Sequence, residues 1–380
     1  MKIAFICGSI EPGKDGVGDY TRRLACGLKR LGHEVMLVAI NDRHCKEKFN
    51  GVQYAEELMV PVTRVPSAMP AEEKLRRLKK ALHSFNPQWL SLQFVPFAFD
   101  DKGLFFGLTD LLAKLGEGRS WHIMFHELWV GMEKESPAKH FWWGMLQKRL
   151  IMSLLRRLKP AAIHTQASLY LAQLQKMGFE AGHLPLFSNI PVLSPVITPT
   201  NSSKGEDAAV KKISFVLFAA IHQGAPAQSF ARDVAAYGKS AGIKFKLILV
   251  GRCGAGQEAW TKAWTEEGME VSVLGEQPSQ RLSEIFFTAS AGISTTPYAL
   301  AEKSGSVAAM QEHGLPVICV SYPWTPRWIK DLCKPKDIAA YPDWNIEEYV
   351  TPRLRQTNDS VINASIQLAS TFALRGYAAK

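Results

Sequence analysis

The sequence predicts an α/β protein built from two Rossmann-like, doubly wound halves. Three observations carry that expectation. At 380 residues the chain is long for one open α/β domain and comfortable for two. Short apolar runs alternate with amphipathic helical stretches up to about Thr165 and again from Ile213 to Val320, the pattern of parallel sheets covered by helices. Between Pro191 and Lys212 the composition turns to Pro, Ser, Thr, Asn and Gly, which marks a linker. The expected boundaries are 1–192 for the first domain, 193–212 for the linker and 213–356 for the second. A last helix within 357–380 has no strand after it and is expected to pack back on the first domain.

The elements follow in order. Lys2 to Cys7 reads as a buried strand entering a glycine-rich loop, Gly8 to Gly18. The next helix places Tyr20, Leu24, Leu28 and Leu31 on one face. Gly32 stops it, and Glu34 to Ile40 is a second strand, giving a βαβ unit and hence a parallel sheet. A basic amphipathic helix (Ala71 to Phe85) precedes a strand at Trp89 to Phe94. A helix at Leu104 to Leu115 precedes a strand at Trp121 to Phe125, and a long helix at Ala138 to Leu158 precedes one near Ala161 to Thr165. Beyond the linker, strands are expected at Ile213 to Ala219, Lys246 to Val250, Val271 to Leu274, Ala291 to Thr295 and Pro316 to Val320, and a last helix at Asp359 to Leu374.

Composition narrows the function classes. Apolar residues make up 47% of the chain, enough for a core in each half, so disorder is a poor description. The six scattered cysteines form no CxxC pair or zinc spacing, and reduced thiols are expected. The N-terminus has no signal-peptide pattern, and no apolar run reaches the roughly 20 residues a membrane span needs. These features predict a cytoplasmic protein. The net charge of +10 asks for an anionic partner, and the lack of a zinc finger, RNP-type strand or dense basic tail argues against nucleic acid.

Ligands of doubly wound sheets bind beyond the carboxyl ends of the strands, and four loops there stand out. The glycines of Gly8 to Gly18 let backbone amides approach an anion at a helix N-terminus, or serve the loop's own turns. This loop is too long for a dinucleotide fingerprint, and no acidic residue clearly ends the second strand. His126, beside Glu127 and near Trp129, ends a strand and can bond a sugar hydroxyl, shuttle a proton or merely bond backbone. Lys303, Ser304, Gly305 and Ser306 form an anion nest before a helix, where a serine could also simply cap. Gly251 and Arg252 follow another strand, and Arg252 reaches either a phosphate or solvent.

Taken in order, these stretches resemble the GT-B, GT4-like (glycosyltransferase group 1) retaining glycosyltransferases. KIAFICGSIEPGKDGVGDYTRRLACGLKRLGHEV looks like that family's first strand, glycine loop and helix, and His164 to Leu169 is similar to its VTSxxL pattern. LILVGRCG, VSVLGEQPSQRLSEIFFTASAGISTTPY and HGLPVICV resemble its donor domain. The resemblance implies a GT-B fold of two domains facing across a cleft, with the acceptor on the first half and the nucleotide sugar on the second. It implies retention, no metal and no cofactor. Gly16 and Gly18 fall where the family's loop approaches the donor phosphates, and His126 where a histidine touches the transferring sugar.

The departures are specific. Phe218 to Gly224 lacks the Arg and Lys that the family uses to hold the diphosphate, and Ala301 and Ala309 occupy the places of its two glutamates. Glu302, one step off, is the available substitute for the first glutamate, and Lys303 to Ser306 for the phosphate cradle. The resulting expectation is a glycosyltransferase taking a nucleotide-diphosphate sugar and a saccharide or lipid-linked acceptor, with His126 and Glu302 as catalytic residues. The donor would meet Gly16, Gly18, Gly251, Arg252, Lys303, Ser304, Gly305 and Ser306; the acceptor would meet Glu127 and Trp129. The alternative is a GT-B-shaped protein that binds nucleotide or sugar without turnover. The helix at about 138–158 has two readings: the stronger is that its face of Trp143, Leu146, Leu150, Leu154 and Leu158 covers the sheet, and the other is a peripheral membrane contact, with Lys148, Arg149, Arg156 and Lys159 roughly opposite and Phe141 and Trp142 flanking.

Overall fold

The computed structural model describes residues 1–193, 211–335, 337–351, 357 and 359–377; the expected linker falls largely on 194–210, outside the described residues. The chain divides into unit 1 (Met1–Asn189, Thr325–Cys333, Ser360–Lys380) and unit 2 (Ile190–Trp324, Lys334–Asp359). Both are mixed α/β units on a central, mostly parallel sheet.

Unit 1 runs β1 (Lys2–Cys7), α1 (Gly16–Arg30), β2 (Glu34–Asp42), β3 (Phe49–Ala55), β4 (Leu58–Pro66), α2 (Ala71–Phe85), β5 (Trp89–Phe94) and α3 (Pro96–Phe99). It continues through α4 (Leu108–Leu115), β6 (Ser120–Phe125), α5 (Ala138–Leu158), β7 (Ala162–Thr165), α6 (Ser168–Lys176) and β8 (Gly182–His183). Its eight-stranded sheet has the order β3-β4-β2-β1-β5-β6-β7-β8. Pairing is parallel except between β3 and β4. The central strand β1 is apolar throughout its buried length because helices cover both faces. Ile3, Phe5 and Ile6 are fully buried, each contributing about 1.5–3 kcal/mol of transfer free energy.

Unit 2 runs β9 (Lys212–Phe218), α7 (Ala227–Ala241), β10 (Lys244–Val250), α8 (Gly256–Glu266), β11 (Glu270–Gly275), α9 (Ser279–Thr288) and β12 (Ala291–Ser294). A 3-10 turn (Tyr298–Lys303), α10 (Gly305–Glu312), β13 (Val317–Cys319), β14 (Ile338–Ala340) and α11 (Glu347–Val350) follow. The sheet is parallel in the order β11-β10-β9-β12-β13-β14. In both sheets the first strand is central and the order reverses beside it, at β1/β5 and at β9/β12.

Several expectations need correction. The β3–β4 hairpin escaped the sequence reading because its two-residue turn uses Glu56 (φ 44°) and Glu57 (φ 67°) where Asn-Gly is usual. Arg23 and Arg30 hold the Glu56 carboxylate at 2.5 and 2.7 Å. The helix expected from Leu104 starts at Leu108, because Gly107 takes φ 78°. Leu31 caps α1 and is 38% exposed, leaving Tyr20, Leu24 and Leu28 as the buried stripe. The second strand does end on an acid: β2 runs on to Asp42, which is fully buried. Its carboxylate is committed to Arg64 Nε (2.7 Å), Ser9 Oγ (3.1 Å) and the His44 amide (3.0 Å), so it is a structural anchor.

The long helix α5 is turned away from its leucine stripe. Its packed residues are Gly144, Gln147, Ile151, Leu154, Leu155 and Leu158, while Leu146 is 36% exposed. Gly144 and Gln147 fix that rotation. A Cβ on Gly144 would sit 1.9 Å from the Val130 carbonyl. Gln147 Oε1 accepts the Val130 amide at 2.9 Å, and its Nε2 donates to the Gly103 carbonyl at 3.3 Å. A stripe read from apolar residues alone misses this polar seam.

Two late segments belong to unit 1. Residues 325–333 fall inside the span assigned from sequence to the second domain, yet they bond to the loop before α5 and to α6. Lys134 N donates to Thr325 O (2.9 Å), Arg327 N to Met132 O (2.7 Å) and Gln173 Nε2 to Arg327 O (3.3 Å). The final helix α12 (Ser360–Tyr377) lies on α1. Gly27 admits it: a Cβ there would meet Ser365 Oγ at 2.2 Å and Val361 Cγ1 at 3.2 Å. Farther along, Phe372 stacks on Trp89 with centroids 4.2 Å apart.

This packing gives a stability prediction. Phe372→Ala lowers unit 1 stability by about 3–5 kcal/mol, the cost of emptying a buried aromatic site. Gly27→Ala gains up to about 1 kcal/mol of helix propensity yet is net destabilising, because overpacking costs about 1–3 kcal/mol. Urea unfolding followed by circular dichroism measures both; a Gly27→Ala variant more stable than the parent would mean that α12 is not seated on α1.

Candidate functional site

In unit 2 the order reversal falls between β9 and β12, where the following loops leave in opposite directions and open a crevice. The β9 loop begins under strain. Ala219 takes φ 69°, a left-handed conformation rare outside glycine, with its amide bonded to Val250 O at 2.9 Å. Three residues on, His222 crosses to the loop after β12: its amide donates to Thr295 Oγ1 at 2.9 Å, and its Nδ1 lies 3.2 Å from the same oxygen. The Thr295 hydroxyl, with one hydrogen and two lone pairs, pairs with either tautomer of the neutral ring. Partial burial and then the nearby Lys303 ammonium hold the His222 pKa below that of an ordinary imidazole.

The neighbouring threonine reaches the start of α10. Thr296 Oγ1 donates to Ser304 Oγ at 3.3 Å, which lies 3.0 Å from Ser306 Oγ. Ser304 is at the N-cap, but its hydroxyl caps no amide, so the simple capping reading does not describe it. Gly305 opens the helix with nothing within 4 Å of a would-be Cβ. The first-turn amides thus lie beside an open glycine with two groups able to carry positive charge nearby. The structure brings Lys303, Ser304, Gly305 and Ser306 together and adds His222, Thr295 and Thr296. Sequence reasoning counted the β9 loop only for its missing Arg and Lys, although its histidine was a signal.

The other donor candidates stand differently. Gly251 takes φ 88°, and its would-be Cβ lies 3.2 Å from the Ala219 amide, so the turn after β10 accounts for this glycine. Arg252 is 83% exposed and pairs with Glu276 at 2.9 Å. In unit 1, Asp15 caps α1 through the Val17 amide at 3.0 Å, so a carboxylate already sits at that N-terminus. Gly16 has open space around it, whereas a Cβ on Gly18 would meet Ile10 Cα and Ser9 O at 3.0 Å. At β1/β5, α3 packs directly against the residue after β1, since a Cβ on Gly8 would lie 2.5 Å from Ala98 O.

His126 follows β6 in unit 1 and is 6% exposed. Its Nε2–H donates to Gln93 Oε1 at 2.9 Å, and its Nδ1 accepts from Gln166 Nε2 at 3.0 Å. Tyr20 packs edge-on against the ring at 4.9 Å. The bonds continue into the sheet: Gln93 Nε2 donates to Ser91 Oγ (2.8 Å), Ser91 to His122 Nδ1 (2.8 Å), and His122 Nε2–H to His164 Nδ1 (3.0 Å). Burial, with the neighbouring histidines, drives the His122 pKa well below normal; burial and then His183 push His164 down to about 4. The bonds of this row can all be made with neutral rings. Both ring nitrogens of His126 are thus engaged by glutamines, which favours positioning over proton shuttling.

The remaining candidates are scattered. Trp129 is 6% exposed, with Gly144 on one side and the Lys148 ammonium 5.2 Å from its ring. Glu127 is half-buried after His126, and Glu302 is half-buried in the 3-10 turn before Lys303.

No family model matches the chain, and no curated protein matches it by sequence. Solved structures do. Sucrose-phosphate synthase from Thermosynechococcus elongatus is 16% identical with a TM-score of 0.55, over 84% of this chain and 81% of that one. The lipopolysaccharide outer core galactosyltransferase WaaB, in its apo form, is 14% identical with a TM-score of 0.54 over all of both chains. A glycosyltransferase from Rickettsia africae is 11% identical with a TM-score of 0.52, over 99% of this chain and 89% of that one. At such identities the likeness concerns architecture: this chain has the two parallel-sheet α/β domains of GT-B glycosyltransferase structures.

Proposed function

We propose that this protein is a glycosyltransferase that moves a sugar from a nucleotide-diphosphate donor to a saccharide or lipid-linked acceptor. The observation that carries the reading is the uncapped start of α10 at the β9/β12 crevice, with His222 and Lys303 beside it. Backbone amides and the helix dipole favour an anion there. Lys303 adds a point charge, and the His222 ring adds a group that becomes cationic when protonated. Together they replace the Arg and Lys that the GT4-like pattern would place after β9. The diphosphate is the leaving group of sugar transfer, so charge stabilisation at this point acts on the bond that breaks.

The finer features of the proposal rest on the sequence resemblance: retention, no metal requirement, His126 against the transferred sugar, and Glu302 as the acidic group beside the cradle. Gly16, open on its outer side, is the residue of the unit 1 loop proposed to approach the donor. Gly18, Gly251, Arg252 and Trp129 have structural partners that account for them. Glu127 remains the proposed acceptor contact.

Incubation with UDP-, GDP- and ADP-sugars tests the function. Release of nucleotide diphosphate from one of them, accelerated by an acceptor, is the expected outcome; binding without release would leave a non-catalytic nucleotide binder. With the active donor, His126→Ala lowers kcat roughly 100-fold, the scale of a misplaced reacting group, and leaves the donor Kd nearly unchanged. An unaltered kcat would remove His126 from the site.

The cradle makes its own prediction. Gly305→Val weakens donor binding by about 1–2 kcal/mol, the scale of a charge at a helix terminus. The His222 pKa is depressed in the free protein, so an anion bound beside it raises that pKa and draws in a proton. Nucleotide-sugar affinity therefore strengthens as pH falls from about 8 to about 6, across the ordinary imidazole range, and His222→Gln flattens the profile. Calorimetry at several pH values measures both effects; equal slopes for parent and His222→Gln would exclude this role for His222.

A further inference from the structure

Unit 1 carries an aromatic and basic surface that the proposed donor chemistry does not use. Its first half is the solvent side of α5. Because Gly144 and Gln147 take the packed face, Trp142 is left 67% exposed and Leu146 36%. Phe141 lies 5.1 Å from Trp142 and meets Trp328 edge-on at 5.8 Å.

Trp328 comes from the segment 325–333 and is 47% exposed. Its φ is 66°, a conformation that a bulky residue keeps only where its surroundings impose it. Those surroundings are visible. Lys176 Nζ donates to the Trp328 carbonyl at 3.1 Å, and Gln173 binds the carbonyl before it. The Arg327 guanidinium donates to the carbonyls of Glu133 (3.1 Å) and Lys134 (2.7 Å). The segment is pinned, and the result is an indole half out in water.

Cations border these rings. Lys148 Nζ lies 5.8 Å from the Trp328 ring, and Arg327 lies 5.0 Å from Phe141 and 5.8 Å from Trp328. Burial and then the Lys176 charge lower the Lys148 pKa, so two ammonium groups share the neighbourhood of one indole. Lys139 and Arg149 extend the positive charge along the exposed side of α5. The acidic groups facing this edge are Glu133 and Glu135. Partial burial and then Glu135 raise the Glu133 pKa, which eases its neutralisation near an anionic surface.

The arrangement selects its partner. Protein interfaces deplete lysine at their centres, whereas here lysines and arginines interleave with the rings. Indoles prefer the interface between headgroups and acyl chains, and flanking cations meet anionic headgroups. Among the described residues no helix is long and apolar enough to cross a membrane, so the contact is peripheral. We propose that Phe141, Trp142, Leu146 and Trp328, with the surrounding lysines and arginines, dock unit 1 on the surface of an anionic lipid membrane.

Co-sedimentation of the full chain with vesicles tests this, using phosphatidylcholine alone and phosphatidylcholine mixed with phosphatidylglycerol, at low and high salt. Binding is expected on the mixed vesicles at low salt, with loss at high salt and little binding to the neutral ones. Trp142→Ser and Trp328→Ser each lower partitioning about tenfold. Replacing both Lys139 and Arg149 by Glu, at exposed positions where folding is not at stake, lowers it by a further order of magnitude or so. Equal binding to neutral and anionic vesicles, or binding unchanged in Trp142→Ser and in the charge-reversed variant, overturns the proposal. Retention on an anionic polysaccharide without vesicle binding also overturns it and makes the surface a saccharide platform.

Discussion

The reversal of strand order beside β9 is the constraint on which the candidate site depends. Two adjacent parallel strands send their loops away in opposite directions, so backbone does not fill the space beyond their carboxyl ends. His222 spans that space through Thr295, and the adjacent Thr296 carries the polar contacts on to Ser304 and Ser306. Two neighbouring threonines thus tie the β12 loop to the β9 loop on one hand and to the start of α10 on the other. Apolar residues behind them supply the stiffness. Met310 on α10 lies so close to β12 that a Cβ on Gly292 would be 2.3 Å from its sulfur, which fixes the helix start relative to the sheet.

Unit 1 uses the same topology differently. At its reversal, β1/β5, Ala98 packs against Gly8, and its polar side chains go into the sheet. The row from Gln166 through His126, Gln93, Ser91 and His122 to His164 buries groups that would be costly if unpaired. Its bonds are compatible with neutral rings along the whole row. Such a row holds His126 in a fixed orientation at the end of β6 while removing its freedom to exchange protons. A histidine at a strand terminus, read from sequence, is compatible with acid–base work; this environment narrows that choice.

What the sequence made legible was what local pattern controls. The mostly apolar runs Lys2–Cys7 and Trp89–Phe94 read as buried strands, and their ends match the structure to the residue. The expected bounds of α5, Ala138 and Leu158, match the structure. Its rotation was not legible, because Gly144 and Gln147 are packed through the backbone carbonyls and amides of distant loops. The β3–β4 turn was hidden for a related reason: two glutamates occupy positions that usually signal themselves with Asn or Gly, and the arginines that hold one of them are far away in sequence. In the candidate site, the Lys-Ser-Gly-Ser nest showed in the sequence as a motif. Its partners Thr295 and His222 did not, since only the fold brings the β9 and β12 loops together.

The net charge shows the same division between bulk and local information. A value of +10 asks for an anion but names no place. Many individual cations are paired with acids, as at Arg64 with Asp42, Arg23 and Arg30 with Glu56, and Arg252 with Glu276, and such pairs leave the excess where it was. Cations that neighbour one another say more than the total. Burial and then a neighbouring ammonium, Lys303 at His222 and Lys176 at Lys148, lower the pKa of each, so positive charge is disfavoured at both points in the free protein. That penalty is relieved when an anion arrives, and the two settings differ in what they would accept. At α10 the cations meet backbone amides and hydroxyls, which suits a compact, multiply bonded phosphate group. At α5 they meet exposed indoles, which suits a surface that is charged outside and apolar beneath.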